Sequence, residues 1–198
     1  MPADSPIRSV AELKGGKVAL NKGSNVHYLL LRALEASSLT LADIEPVYLP
    51  PADARAAFER GAVDAWVIWD PFLAAAQAAT GARTLADGKG LVDNHQFFLA
   101  SQDLVARDSG LIRSIIEELD SADRWAQASQ AEVARLIGPR VGIPAPIREV
   151  ALARVSYGVA PVTADVLARQ QRIADAFHKI GLIPKAIDVG EAAWRPGA

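Results

Sequence analysis

Residues 17–36, KVALNKGSNVHYLLLRALEA, decide the fold of this chain. The short apolar run Lys17–Leu20 predicts a buried strand, and a polar loop over 21–25 separates it from a longer stretch. In that stretch the apolar residues recur at helical spacing, which predicts a helix that ends near Ala36. A strand, a tight loop and a helix in this order are typical of the opening of a βαβ unit.

The same alternation continues along the chain to about residue 85. It predicts strands at 44–49, 64–69 and 84–85, a helix from the Pro50-Pro51 pair to Arg60 with Asp53 as its cap, and a helix over 72–79. The run DAWVIW at 64–69 is continuously apolar after its first residue, as in a strand buried on both faces. We therefore predict an α/β lobe over residues 1–95, with a parallel-rich sheet and helices on both faces.

The chain changes character after residue 95. One further strand is predicted at 96–100, and the rest, to residue 198, reads mainly as helix. The predicted helical segments include an apolar stripe from Leu111 to Ala122, shorter helices at 130–137 and 146–155, and a last helix over 163–180. A helical block with little sheet of its own must bury its apolar faces against another surface.

Composition excludes several classes of protein. The hydrophobic fraction of 51% and the charged fraction of 22% indicate a sizeable core and no disorder. A net charge of -2 provides no field for nucleic acid, and we expect no nucleic-acid partner. The sequence has no cysteine and three widely separated histidines, so we expect no metal site and no cofactor. His27 and His178 lie within predicted helices, and we interpret both as structural residues. The first residues lack the pattern of a signal peptide.

The loop residues Gly23, Ser24 and Asn25 are the first candidate for a binding site. Backbone N–H groups at the start of a helix have no partner within the helix, and the helix dipole adds positive potential there. With the hydroxyl of Ser24 and the amide of Asn25, this arrangement suits a tetrahedral oxyanion such as sulfonate or phosphate. The alternative is that Ser24 or Asn25 is only the N-cap of the helix.

Two further pairs are candidates for ligand contacts. Trp69 follows a buried strand and could wall a pocket for an apolar ligand tail, while Asp70 could orient a polar group or simply cap the next helix. Asn94 and His95 stand where the chain changes character and are candidates for a hinge or a pocket rim. No nucleophile, base and orienting acid can be assembled, so no catalytic residue is predicted and we expect a binding protein, not an enzyme.

Long stretches of this sequence resemble a known family. They are VALNKGSNVHYLLLRALE at 18–35, PVYLPPADARAAFERGAVDAWVIWDPF at 46–72, ARTLADGKGLVDNHQFFLAS at 82–101, RVSYGVAP at 154–161 and IADAFHKIGLIP at 173–184. They resemble the aliphatic-sulfonate-binding periplasmic receptors of ABC importers, which have the type II solute-binding fold. The resemblance extends from about Ile7 to Trp194.

The resemblance implies a two-lobed clamp that closes on a small organic sulfonate and docks on an ABC permease in the membrane. Residues 1–95 would form the second lobe and residues 96–198 the crossover strand and C-terminal helices of an incomplete first lobe. The family's anion loop falls on Gly23, Ser24 and Asn25, and its strand-end pair on Trp69 and Asp70. The implied location is the periplasm. In the family, the first lobe has further residues before the point at which this sequence starts.

Two alternatives stay open from the sequence. One is an enzyme on the same fold, such as the pyrimidine-precursor synthases of thiamine biosynthesis, which need a cysteine-rich motif that is absent here. The other is a non-binding remnant, or a homodimer in which a second copy covers the apolar helical faces.

Overall fold

A computed structural model describes residues 1–194 of the chain. Contacts divide the chain into two compact units, Met1–Asn94 and His95–Ala198. The fold is α/β, as predicted, and all the strands assigned within the described residues lie in the first unit. None of the helices within residues 1–194 combines the length and apolar character that a membrane span requires.

A three-stranded parallel sheet forms the centre of the first unit. Its strand order is β2-β1-β3, with Leu20 of β1 opposite Tyr48 of β2 and Ala19 of β1 opposite Trp66 of β3. The elements in chain order are β1 (Lys17–Leu20), α1 (Asn25–Ala36), β2 (Glu45–Tyr48), α2 (Pro51–Glu59), β3 (Ala65–Trp66) and α3 (Phe72–Thr80), with short 3-10 turns at Val10–Leu13 and Leu41–Asp43.

Alternation along β1 assigns the helices to opposite faces of the sheet. Side chains alternate between the two faces of a strand. Val18 and Leu20 pack with residues of α1 in one apolar cluster, whereas Ala19 packs with Phe58 of α2 in another. The clusters comprise Met1, Leu13, Val18, Leu20, Leu30, Leu34, Ile44 and Ala65 on the α1 side, and Ala19, Ala54, Ala57, Phe58 and Val63 on the α2 side. The prediction of helices on both faces is confirmed.

Three local predictions in the first unit are wrong. The third strand was expected over 64–69 but ends at Trp66. Its last hydrogen bond to β1 runs from the N–H of Val67 to the carbonyl of Ala19, at 2.9 Å, and β1 itself ends one residue later, at Leu20. Residues 84–85 form no strand, although Leu85 packs against the α1-side cluster. Asp53 is not the cap of α2; Pro50 holds the N-cap position, and Asp53 lies within the first turn.

The second unit is helical, as predicted. Its helices are α4 (Gln102–Arg107), α5 (Ser109–Ala128), α6 (Gln130–Val141), α7 (Ala145–Leu152) and α8 (Ala164–Lys179), followed by a 3-10 turn at Val189–Ala192. Thr163 caps α8 by accepting the N–H of Val166. Residues 96–100 were expected as a strand but have no strand assignment, because a strand needs a hydrogen-bonded neighbour and the described residues provide none. Within this segment Leu99 is 93% exposed.

Leu34 provides a test of the α1-side core, since its side chain has no exposed surface. Leu34→Ala should lower the free energy of unfolding by about 2–5 kcal/mol, because it removes buried methyl groups and leaves a cavity. The exposed neighbour Glu35 is the matched control on the same helix, and Glu35→Ala should change the free energy by no more than about 0.5 kcal/mol. Urea denaturation measures both values, and equal effects would contradict this placement of the core.

Candidate functional site

The loop between β1 and α1, residues 21–25, contains the predicted anion-binding residues and is called the anion loop for that reason. It starts where β1 reaches the carboxyl edge of the sheet, the edge at which open α/β sheets bind ligands. Gly23 adopts φ +77°, a left-handed conformation that glycine takes at no steric cost. Ser24 is the N-cap of α1, with an extended backbone, and Asn25 is the first helical residue.

Two groups of the anion loop are used inside the protein. The Ser24 hydroxyl donates to the carbonyl of Asn21 at 2.8 Å, and the Gly23 N–H donates to Nδ1 of His27 at 3.1 Å. Ser24 therefore holds the N-cap position, but its side chain accepts no capping hydrogen bond.

Two backbone donors of the anion loop are left over. Within residues 1–194, the N–H groups of Ser24 and Asn25 donate to no acceptor. They stand at the start of a 12-residue helix, where the helix dipole is positive. Free N–H groups at this end of a helix are suited to binding an anion.

A hydrogen bond joins two of the predicted site residues. Nδ2 of Asn25 donates to Oδ1 of Asn94 at 3.0 Å, across 69 residues of sequence. Oδ1 of Asn25 also accepts the N–H of Val26 at 3.0 Å. The Asn25 amide is therefore held at both of its atoms, while the second hydrogen of its Nδ2 is still available.

Lys22, within the anion loop, and Tyr48, beside it, are two residues that the sequence analysis did not single out. Tyr48 ends β2 directly opposite Leu20, so its ring stands at the same carboxyl edge of the sheet. The Lys22 ammonium lies 5.3 Å from the centre of that ring, within cation–π range. The pairing of the two strand ends was the signal for Tyr48, because parallel strands bring their carboxyl ends to one edge.

His27 was interpreted as a structural residue of the helix, and the structure gives it a specific contact. The side chain is only 1% exposed, and its ring lies 5.7 Å from the ring of Tyr48. Burial, assisted by the positive charge of Lys22, holds the pKa of His27 below its ordinary value. A neutral ring that accepts at Nδ1 carries its hydrogen on Nε2.

Trp69 and Asp70 are placed by the start of α3. The half-buried ring of Trp69 meets the ring of Phe72 edge-on, with centroids 6.2 Å apart. Asp70 was the expected cap of this helix, but the N-cap position belongs to Pro71. Oδ1 of Asp70 still accepts the N–H of Ala74 at 3.0 Å, so this carboxylate stabilises the first turn from one residue earlier. A ligand contact by either residue stays a prediction.

His95 belongs to the second unit, whereas Asn94 ends the first. The His95 side chain is exposed, and its ring centroid lies 6.3 Å from that of Phe97. Its role at a hinge or rim stays a prediction. Among residues 1–194 no group of three or more acidic, histidine or cysteine side chains is arranged to hold a metal ion.

Comparison with known proteins supports the fold and indicates the family. The NMT1-like family matches residues 4–138. The crystal structure of the periplasmic aliphatic sulphonate binding protein SsuA from Escherichia coli superimposes with a TM-score of 0.94 at 41% identity, over 98% of this chain and 64% of that one. The alkanesulfonate-binding protein SsuA from Xanthomonas axonopodis pv. citri, bound to MOPS, gives a TM-score of 0.88 at 40% identity, over 98% and 68% of the two chains.

A curated relative from Escherichia coli K12, named as an aliphatic sulfonates-binding protein, is 42% identical over 194 residues. The match covers 98% of this chain and 61% of the relative, so the chain spans about three fifths of that relative's length. The fold is that of a periplasmic solute-binding protein. Within that class, the chain belongs to the NMT1-like family.

Asp70 can be tested as a helix-stabilising residue. Asp70→Ala removes the acceptor for the Ala74 N–H and should lower the free energy of unfolding by about 0.5–2 kcal/mol. Asp70→Asn is the matched control, because it keeps an oxygen in the same position and should recover most of the loss. Chemical denaturation of the three proteins measures this, and an unchanged stability in Asp70→Ala would contradict the assignment.

The buried His27 ring should make stability depend on pH. Its pKa is lowered in the folded protein from an ordinary value of 6.5, so the unfolded chain binds a proton first as pH falls. The free energy of unfolding should therefore be highest above about pH 6.5 and fall below it, by at most about 1.4 kcal/mol per pH unit.

The comparison for this effect is His27→Asn, which cannot titrate. The difference in unfolding free energy between the parent and this variant, measured from pH 8 to pH 5 in about one-unit steps, isolates the contribution of His27 because every other titrating group is common to both. A difference that is constant with pH would show that the ring titrates alike in the folded and unfolded chains.

Proposed function

We propose that this chain is the sulfonate-capturing part of a solute-binding protein that serves an ABC importer, and that it is not an enzyme. The observation that carries the proposal is the pair of free N–H groups on Ser24 and Asn25 at the start of α1. Backbone donors at the start of a helix attract an anion, because the helix dipole is positive there. The names of the relatives supply the chemical class of the anion.

The number of donors fits a sulfonate. A sulfonate group has three oxygens in a tetrahedral arrangement, whereas a carboxylate has two oxygens in a plane. The anion loop offers the N–H of Ser24, the N–H of Asn25 and the second amide hydrogen of Asn25. Selectivity for sulfonate would follow from the arrangement of the donors, because three donors directed at a tetrahedral group cannot all align with the lone pairs of a planar carboxylate.

The Ser24 hydroxyl plays a secondary part in this proposal. A sulfonate offers only acceptors, and the Ser24 proton is already given to the Asn21 carbonyl at 2.8 Å. To donate to the ligand the hydroxyl would rotate and give up that bond, so its net contribution is small. Its main effect would be to hold the anion loop in shape.

The organic tail of the ligand would lie against an aromatic surface, and we propose Trp69 for that role. Its ring is half-buried and meets the ring of Phe72 edge-on, and its exposed part could supply an apolar contact. Asp70 would support the same segment through its bond to Ala74.

Residues 1–95 would form the second lobe of the receptor, and residues 96–198 part of its first lobe. Asn94 and His95, at the junction of the two units, would belong to the hinge. With the lobes closed on the ligand, the protein would dock on its permease in the membrane. Its location would be the periplasm, as stated for the SsuA relative.

Two competing functions are less well supported. A same-fold enzyme of the thiamine-precursor type would need reactive cysteines, which this sequence lacks. A homodimer is suggested by the exposed apolar side chains of α5, where Leu111, Ile115 and Trp125 are 46%, 44% and 43% exposed. The hydrodynamic size of the purified chain distinguishes a dimer from a monomer.

Calorimetric titration with ethanesulfonate, and with propanoate as the matched carboxylate, tests the proposal. Saturable heat is expected for ethanesulfonate alone. Ser24→Ala should weaken binding by no more than about tenfold, equivalent to about 1.4 kcal/mol, since the hydroxyl is shared with the Asn21 carbonyl. Equal binding of propanoate would contradict the donor geometry, and no heat from the folded chain would contradict binding by these residues.

A further inference from the structure

His27 is placed to act on the anion loop and not only to fill the core. It is the third residue of α1, and helical side chains lean toward the N-terminus of their helix. Its Nδ1 therefore reaches back to the Gly23 N–H at 3.1 Å. The contact is similar to one half of a capping box, in which the third helical residue accepts the N–H of the N-cap residue, but here the acceptor is an imidazole and the donor, Gly23, stands one residue before the N-cap Ser24.

We propose that His27 is the positioning residue of the anion loop: by accepting the Gly23 N–H, it fixes the loop so that the N–H groups of Ser24 and Asn25 are the ones offered to the ligand. This inference rests on the proposed function and adds to it a residue that does not touch the anion. Without the bond, the Gly23 N–H would itself be free at the mouth of the loop, and Gly23 could leave its left-handed conformation readily.

The charged and titratable groups around His27 agree with an acceptor role. Lys22 approaches from the anion loop and Tyr48 from the end of β2. Burial of the ring and, to a lesser extent, the Lys22 ammonium both disfavour the imidazolium, which would have no lone pair left at Nδ1. The neutral ring can thus hold the Gly23 N–H throughout the neutral pH range.

A matched pair of substitutions separates the acceptor from the packing. Asn and Leu have nearly the same shape, but Asn places an oxygen close to the position of Nδ1, whereas Leu places a methyl group there. His27→Asn and His27→Leu therefore create similar cavities and differ in the acceptor. Urea denaturation first establishes that both variants are folded.

The first readout is the hydrogen-exchange rate of the Gly23 amide, followed by NMR in the 198-residue chain without ligand. His27→Leu should raise that rate by at least about tenfold, since the amide loses its acceptor, while His27→Asn should stay within about threefold of the parent. Exchange that is alike in all three proteins overturns the inference, whatever the chain binds.

The second readout is the affinity for ethanesulfonate. We expect His27→Leu to bind at least about tenfold more weakly than His27→Asn. Equal affinities of the two variants would mean that the Gly23 contact does not position the donors, and would overturn the inference. If the parent itself gives no sulfonate-specific heat, the proposed function fails, and the exchange of Gly23 still decides whether His27 holds the loop.

Discussion

The burial of β1 determines the arrangement of the first unit. Val18, Ala19 and Leu20 have no exposed surface, so their backbone groups cannot be hydrogen-bonded by water. Parallel strands on both sides supply the partners, and α1 and α2 cover the two faces. β1 is four residues long and ends at Leu20, so the chain leaves the sheet directly after that residue. The anion loop starts at that point.

The anion loop is thus a consequence of ending a buried strand and starting a helix within a few residues. The first N–H groups of a helix have no partner within the helix. In this loop the protein itself supplies acceptors for some of the N–H groups but not for all of them. His27 takes the Gly23 N–H, while the Ser24 hydroxyl donates to Asn21. In the part of the chain that the structure describes, the backbone N–H groups of Ser24 and Asn25 are the ones left without an acceptor. Asn94 accepts a hydrogen bond from the Asn25 side chain, which lies beside them.

The sequence predicts those parts of the fold that depend on local pattern. β1, α1 and the helices of the second unit follow from apolar periodicity and from Gly and Pro positions. The failures at 67–69, 84–85 and 96–100 have one cause: these segments have the composition of strands, but a strand exists only beside a partner, and pairing is a long-range property. The same holds for the site, where the Asn25–Asn94 bond spans 69 residues.

His27 shows why a local interpretation of the sequence can miss a specific contact. Its position inside α1 and its burial were consistent with a structural residue. What distinguishes it is the direction of one ring nitrogen, which depends on Gly23 turning at φ +77° and on Lys22 and Tyr48 surrounding the ring. A carboxylate at this position would accept the same N–H but would add a negative charge behind the free donors. The neutral imidazole fixes the loop while leaving the potential at the start of α1 favourable for an anion.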